Sequence, residues 1–261
     1  MSESGAATAP RQIPFRAMIP NAITALVLCF GLTGIRFAID GQWELALASI
    51  VLAGVLDGLD GRIARLLRAQ SKFGAELDSL ADNIAFGTAP ALLLFLWSLN
   101  EAPRFGWTVA LALAVCCALR LARYNSRLDV AEQPHKSAGF NTGVPAPAGA
   151  GLAFVPIYLS LVGAPEWVAS WQFVMPWTLL IAVLMISNVP TFGWTSLRIR
   201  RSMRLFVLAA IAMLGAALAS EPWWTLLAIS ALYLILLPAA LASYTRVRRR
   251  RAAAAVPSTV G

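Results

Sequence analysis

D-G-L-D-G-R-I-A-R (Asp57–Arg65) and, eight residues later, G-A-E-L-D-S-L-A-D (Gly74–Asp82) put four aspartates, Asp57, Asp60, Asp78 and Asp82, into otherwise apolar sequence. A carboxylate at the centre of a membrane helix costs roughly 2.5–3.5 kcal/mol on insertion scales, so four together require partners or a metal. The surroundings are of membrane type. The 261 residues are 59% hydrophobic and only 13% charged, with a mean hydropathy of +0.69, whereas a soluble domain carries roughly a quarter charged residues.

The apolar residues fall into blocks of spanning length, which predicts an all-α polytopic membrane protein of about eight helices. The expected spans are 20–40, 44–67, 74–99, 105–124, 146–164, 172–192, 203–219 and 223–245. With the N-terminus cytoplasmic, every basic residue except Arg36 and Arg104 falls on one side, as the positive-inside rule requires. Eight of the nine tryptophans, all but Trp194, then lie near the outer interface, where amphipathic rings sit. Both termini and the aspartate site are expected to be cytoplasmic, in what we read as a bacterial inner membrane.

The net charge of +8 is read as cytoplasmic flanks attracted to membrane lipids with anionic headgroups, not as a nucleic-acid footprint. The Arg248–Arg251 run is read as a stop-transfer anchor. Cys29, Cys116 and Cys117 lie in spans without a C-x-x-C and are read as small packing residues. No cleavable signal peptide is expected, because residues 1–12 are polar and the first apolar stretch is a full span. The single histidine, His135, sits in a loop beside Pro134. This weakens Ser/His/Asp schemes and excludes a histidine-rich zinc site.

The second and third spans form a hairpin around the basic turn Arg68–Lys72. Counted from residue 70, Asp60 is level with Asp78 and Asp57 with Asp82 if both strands of the hairpin are helical. Spacings of three and four put each pair on one helix face, so the four carboxylates converge. Gly54 and Gly58 form a G-x-x-x-G read as helix packing, while Gly61 and Ala64 leave room on the aspartate stripe itself. Clustered hard oxygen donors suit Mg²⁺, Mn²⁺ or Ca²⁺, and four carboxylates suit two ions gripping a pyrophosphate. A carboxylate not fully engaged by metal could accept a proton from an attacking hydroxyl. Arg65 is placed to meet a phosphate oxygen or to serve as a positive flank. A cation or proton path through the aspartates is the rival reading.

The two quoted segments match D-x-x-D-G-x-x-A-R-x₈-G-x-x-x-D-x-x-x-D at every fixed position, and the chain thereby resembles the CDP-alcohol phosphotransferase family. I-P-N-A-I-T (Ile19–Thr24), S-L-A-D-N-I-A-F-G-T-A-P-A (Ser79–Ala91), R-L-A-R-Y-N (Arg120–Asn125), F-N-T-G-V-P-A-P-A-G-A (Phe140–Ala150) and S-N-V-P-T-F (Ser187–Phe192) resemble the branch that makes phosphatidylserine. The last two spans and the arginine tail fall outside the resemblance.

The resemblance implies that a phosphatidyl group passes from CDP-diacylglycerol to the hydroxyl of L-serine with release of CMP, using two Mg²⁺ or Mn²⁺ ions in a homodimer. Another acceptor (glycerol phosphate, inositol phosphate or choline) is the alternative within the same chemistry. Asp57, Asp60, Asp78 and Asp82 would hold metal, with Asp82 also the general base. Asn21, Asp60, Gly61, Ala64, Arg65 and Gly74 would surround the CDP moiety. Arg120, Arg123, Asn125, Gly143 and Pro145 would meet the acceptor, one arginine taking its carboxylate. The expected division is an N-terminal segment 1–19, a catalytic core 20–192, two additional helices 203–245 and a basic tail 246–261.

Overall fold

The computed structural model describes residues 15–128, 140–187, 189–192 and 203–254. The chain is an all-α integral membrane protein with a single short β-ribbon among the described residues. His135, Lys136, Arg11, Trp194, Arg198, Arg200 and Arg201, on which the sequence reading touched, lie outside the described residues.

Each expected span is helical over most of its length. α1 (Phe15–Ile39), α2 (Trp43–Leu66), α3 (Lys72–Asn83), α4 (Ala89–Trp97) and α5 (Gly106–Leu128) come first. α3 and α4 are one continuous rod joined by a π-helical turn, Ile84–Thr88. Pro90 in the first turn of α4 has no N–H to give the preceding turn and crowds it, and a wider π turn accommodates such a local misfit. Four helices are long and apolar enough to cross a membrane by themselves: Met18–Ile39, Lys72–Trp97, Gly106–Ser126 and Pro222–Ala239. α2 is long enough, at 24 residues, but carries the charges of the aspartate motif.

The remaining elements depart from the expected boundaries in three places. The fifth span is two short helices, α6 (Ala146–Ala153) and α7 (Val155–Leu161), broken at Phe154 just ahead of Pro156. The sixth does not run to residue 192. Its helix, α8 (Trp171–Ile186), stops at Ser187, and Pro190–Phe192 forms β2, antiparallel to β1 (Phe140–Thr142). Pro190 disfavours helix at the residue before it, and the freed backbone pairs with β1 instead. The last helix overruns its expected end at 245: after α9 (Arg204–Ser220), α10 runs from Pro222 to Ala254, since alanine and arginine are both strong helix formers.

Lipid tails are as apolar as leucine, so this bundle is held by close packing rather than by exclusion of water. α1 packs along α2 and crosses the π turn, and α5 packs on α8. A Cβ on Gly31 would lie 2.9 Å from the Ala85 Cα, so glycine is what lets α1 approach the π turn. The core between these helices includes Val27, Leu47, Phe86, Leu113 and Ile181, all buried. Leu205, Phe206 and Met213 of α9 are exposed and face where lipid would be.

G-x-x-x-G does not behave as helix packing. A Cβ on Gly58 would meet nothing within 4 Å, and one on Gly54 would meet only the Phe86 ring, at 3.7 Å. Gly58 borders open space, Gly54 meets a side chain only at ordinary contact distance, and the close backbone approach falls on Gly31 instead.

Candidate active site

A tight reversal builds the hairpin. α2 ends with the Ala69 N–H donating to Ala64 O at 2.9 Å and with Arg68 in the left-handed region at φ 50°, a helix stop that glycine usually makes. Ser71 then caps α3, its hydroxyl accepting from the Gly74 N–H at 3.0 Å, which satisfies one of the free N–H groups of the first turn. Two antiparallel helices leave this turn in register. Asp57, Asp60 and Asp78 each present a carboxylate oxygen within 4.8 Å of the others. Asp82 lies against Asp57. The convergence expected of the hairpin is thus present, with Asp57, Asp60 and Asp78 gathered together and Asp82 beside Asp57.

Asp60 is the least exposed of the four, at 4%. Thr24 of α1 donates its hydroxyl to Asp60 Oδ2 at 2.7 Å. Thr24 had not been singled out. The available signal was its position three residues after Asn21 in I-P-N-A-I-T, which puts both on one face of α1. The two residues line a cavity of about 220 Å³ with Asp60, Gly61, Ala64 and Gly74. Gly74 is needed there, because a Cβ would sit 2.8 Å from Asn21 Oδ1. Asp78, Gln70 and Ser71 complete its far wall.

The donor set fits divalent cations. Two unit negative charges 4.8 Å apart repel by roughly 3 kcal/mol at an effective dielectric near 20, and there are several such pairs. Among the described residues the one ion pair is Arg36 with Asp40, so no cation among them offsets this charge within salt-bridge range. Asp82 Oδ1 is buried with no hydrogen-bond partner. All-oxygen donors of this kind suit hard cations and not zinc.

The proposed acceptor residues separate into two groups. Gly87 in the π turn packs on α5, where an added Cβ would lie 3.0 Å from the Cys117 Cβ. Arg120, one turn after Cys117, is thereby carried toward Asp82, whose carboxylate acts on it electrostatically. Its Nε is buried without a partner. Arg123 instead donates from Nη1 to Ile186 O at 2.8 Å, tying α5 to the end of α8. Asn125 donates from Nδ2 to Ser79 Oγ at 2.8 Å, tying α5 to α3.

Gly143, at φ 75°, donates its N–H to Val189 O at 2.8 Å, and Pro145 precedes the first residue of α6. These two shape the ribbon-to-helix connection. Arg65 is not part of the cavity wall. Its Nε donates to Gly61 O of its own helix at 3.0 Å, in an exposed position.

Residues 17–186 match the family model described as CDP-alcohol phosphatidyltransferase. Residues 202–238 match a second, CDP-alcohol phosphatidyltransferase 2, so the last two helices, outside the resemblance drawn from sequence, also carry a family pattern. The chain is similar to the CDP-diacylglycerol–serine O-phosphatidyltransferase of Mycobacterium tuberculosis, 39% identical over 87% of this chain and 79% of the relative. It is similar to the protein of the same name from Helicobacter pylori, 34% identical over 74% of this chain and 79% of that one. A third protein of that name, from Methanocaldococcus jannaschii, is 39% identical over 54% of this chain.

Proposed function

The chain belongs to the CDP-alcohol phosphatidyltransferase family, and from that premise we propose that it makes phosphatidylserine: CDP-diacylglycerol and L-serine are converted to phosphatidylserine and CMP. The observation that carries this reading is the placement of Arg120, a half-buried cation, toward Asp82, which itself lies against the cluster of Asp57, Asp60 and Asp78. A carboxylate-bearing acceptor needs such a cation next to the base; a choline acceptor would be repelled by it. The relatives' names support the same acceptor.

In the proposed reaction Asn21, Gly61, Ala64 and Gly74 receive the CDP moiety in the cavity between α1, α2 and α3. Asp57, Asp60 and Asp78 would hold divalent cations, Asp82 contributing an oxygen, and Thr24 fixes the orientation of Asp60. When bound there, two Mg²⁺ or Mn²⁺ ions would neutralise the pyrophosphate and the departing CMP. Arg120 takes the serine carboxylate and so turns the serine hydroxyl toward Asp82. Asp82 accepts that hydroxyl's proton as the oxygen attacks the lipid-side phosphorus. The bond from this phosphorus to the bridging oxygen breaks, and CMP leaves with the electron pair.

The site lies within a few turns of the basic hairpin turn, which supports a cytoplasm-facing site in a bacterial inner membrane. There a lipid arrives from the bilayer and serine from the water. The division into a core of residues 20–192, two further helices and a basic tail is kept as part of this proposal, and a homodimer rests on the family resemblance alone.

The test is CMP release by purified protein supplied with CDP-diacylglycerol and one acceptor at a time. Release with serine, and none with glycerol phosphate, inositol phosphate or choline, is the expected result. Release with glycerol phosphate but not serine overturns the assignment while leaving the chemistry.

A further inference from the structure

A second cavity, of about 260 Å³ and mainly apolar, is walled by α2, α6, α7 and α10, with Ile50, Gly54, Gly151 and Tyr158 in its lining. A water needs only about 10–15 Å³, and a cavity with apolar walls stays dry. This one has room for a much larger apolar body.

The two cavities lie along one face of α2. Gly61 lines the proposed nucleotide cavity and Gly54 the apolar one, with Gly58 between them. Spacings of three and four keep all three on the same side of the helix, over about 10 Å of its length. Gly58 is exposed, and an added Cβ at Gly58 or Gly61 would meet nothing within 4 Å. The track between the cavities is therefore open to the bilayer, as entry of a lipid requires. One end is lined by carboxylates and the other by hydrocarbon, which fits an amphiphile rather than a purely apolar guest.

An aromatic ring closes the far end. α6 packs on α3 and the π turn, whereas α7 packs on α10, so Tyr158 of α7 lies at the end remote from the aspartates. Tyr158 is 1% exposed. Its ring stacks on Trp223 of α10, with centroids 6.3 Å apart and planes 20° apart, and meets Phe154 edge to face. Its hydroxyl is buried without a partner, so these ring contacts hold it in place.

We propose that this cavity takes the distal part of one acyl chain of CDP-diacylglycerol, and that Tyr158, braced by Trp223, limits the length of that chain. This rests on the reading of CDP-diacylglycerol as the lipid substrate. It also gives α10 a part in choosing the lipid, although α10 contributes none of the aspartates.

The chain can be mapped without turnover. CDP-diacylglycerol carrying a diazirine near the end of one chain is photolysed with the purified full-length protein in the absence of serine. Label is expected within residues 147–158 or 226–233. Excess unlabelled CDP-diacylglycerol should remove it, and phosphatidylglycerol with the same chains should not. Label confined to other segments overturns the proposal. So does label that phosphatidylglycerol removes equally, since the cavity would then hold bulk lipid.

Kinetics with CDP-diacylglycerols from dioctanoyl to diarachidoyl test the length limit. Gly151→Leu places its side chain where an added Cβ meets nothing within 4 Å, so it should fold and fill the cavity. Its KM for the dipalmitoyl lipid should rise roughly tenfold or more, as in an overfilled apolar pocket, with the dioctanoyl and serine KM values within about twofold of the parent. Tyr158→Ala should do the reverse and favour the longest chains. No rise in Gly151→Leu, or equal rises for short and long chains, overturns the proposal. A folded Tyr158→Ala protein with the parental length profile overturns the limit set by Tyr158. If label falls as expected but CMP is released only with glycerol phosphate, the acceptor assignment fails and the chain site stands. Release with serine from a protein labelled elsewhere is the converse.

Discussion

Thr24 donates its hydroxyl to Asp60 Oδ2 at 2.7 Å, linking α1 to the aspartate stripe of α2. The same oxygen lies 3.1 Å from Pro20 O, one turn back on its own helix. A hydroxyl has one proton to give, and the shorter contact, to a carboxylate, is the stronger. Thr24 thus selects one orientation of the least exposed of the four acidic side chains.

Thr24→Val keeps the shape and removes the donor. The divalent-ion concentration for half-maximal CMP release should rise tenfold or more, since hydrogen bonds to charged groups contribute roughly 1.5–3 kcal/mol. Thr24→Ser should stay near the parent. An unchanged metal dependence in Thr24→Val would mean that Asp60 is held by its neighbours alone.

The four aspartates should divide into two behaviours. Asp82→Asn retains the side chain's size and loses its ability to take a proton, so turnover should fall at least about a hundredfold, with Mn²⁺-dependent binding of CDP-diacylglycerol largely kept. Asp78→Asn should lose that binding as well, because it removes one of three oxygens gathered within 4.8 Å. Chelation with EDTA should reproduce the Asp78→Asn result in the parent protein. If Asp82→Asn binds no better than Asp78→Asn, Asp82 is a metal ligand first and the base must be sought elsewhere.

Arg123 and Arg120 look alike in the sequence, one turn apart in R-L-A-R-Y-N, and the structure gives them different neighbours. Arg123 donates to Ile186 O at 2.8 Å, one of the carbonyls that a helix end leaves unsatisfied. Arg123→Ala should therefore lower thermal stability in detergent by about 1–3 kcal/mol, the cost of a hydrogen bond lost where a partner is left unpaired. The serine KM of the folded fraction should not change. A raised serine KM without loss of stability would return Arg123 to the acceptor site.

The aspartate geometry was legible in advance because helix rise and a short hairpin suffice to calculate it. Once the turn at Arg68–Lys72 is located, the levels of Asp57, Asp60, Asp78 and Asp82 follow. Residues arriving from other helices were not legible. Thr24 meets Asp60 through a packing angle that no spacing along the chain reports. The break at Phe154 and the ribbon at Pro190–Phe192 were missed because hydropathy counts apolar residues without asking whether a proline lets them continue a helix.

Glycine is the residue whose role the sequence misassigned most readily, and three positions separate the possibilities. At Gly31 the neighbour is backbone, with the Ala85 Cα at 2.9 Å from an added Cβ. Backbone of a packed helix cannot rotate aside, so Gly31→Ala should push α1 off the π turn and lower thermal stability by roughly 1–3 kcal/mol. At Gly58 an added Cβ meets nothing within 4 Å, so Gly58→Ala should leave stability unchanged or raise it by roughly 0.5–1 kcal/mol, through a better helix former. At Gly74 the obstacle is Asn21 Oδ1, at 2.8 Å. That side chain can swing away, and the direction open to it is the cavity they share. Gly74→Ala should therefore be stable yet raise the KM for CDP-diacylglycerol, with the serine KM near normal. Thermal melts and the two KM values distinguish all three outcomes. A destabilised Gly58→Ala protein would restore the packing role of G-x-x-x-G, and a Gly74→Ala protein with parental kinetics would remove Asn21 from the nucleotide site.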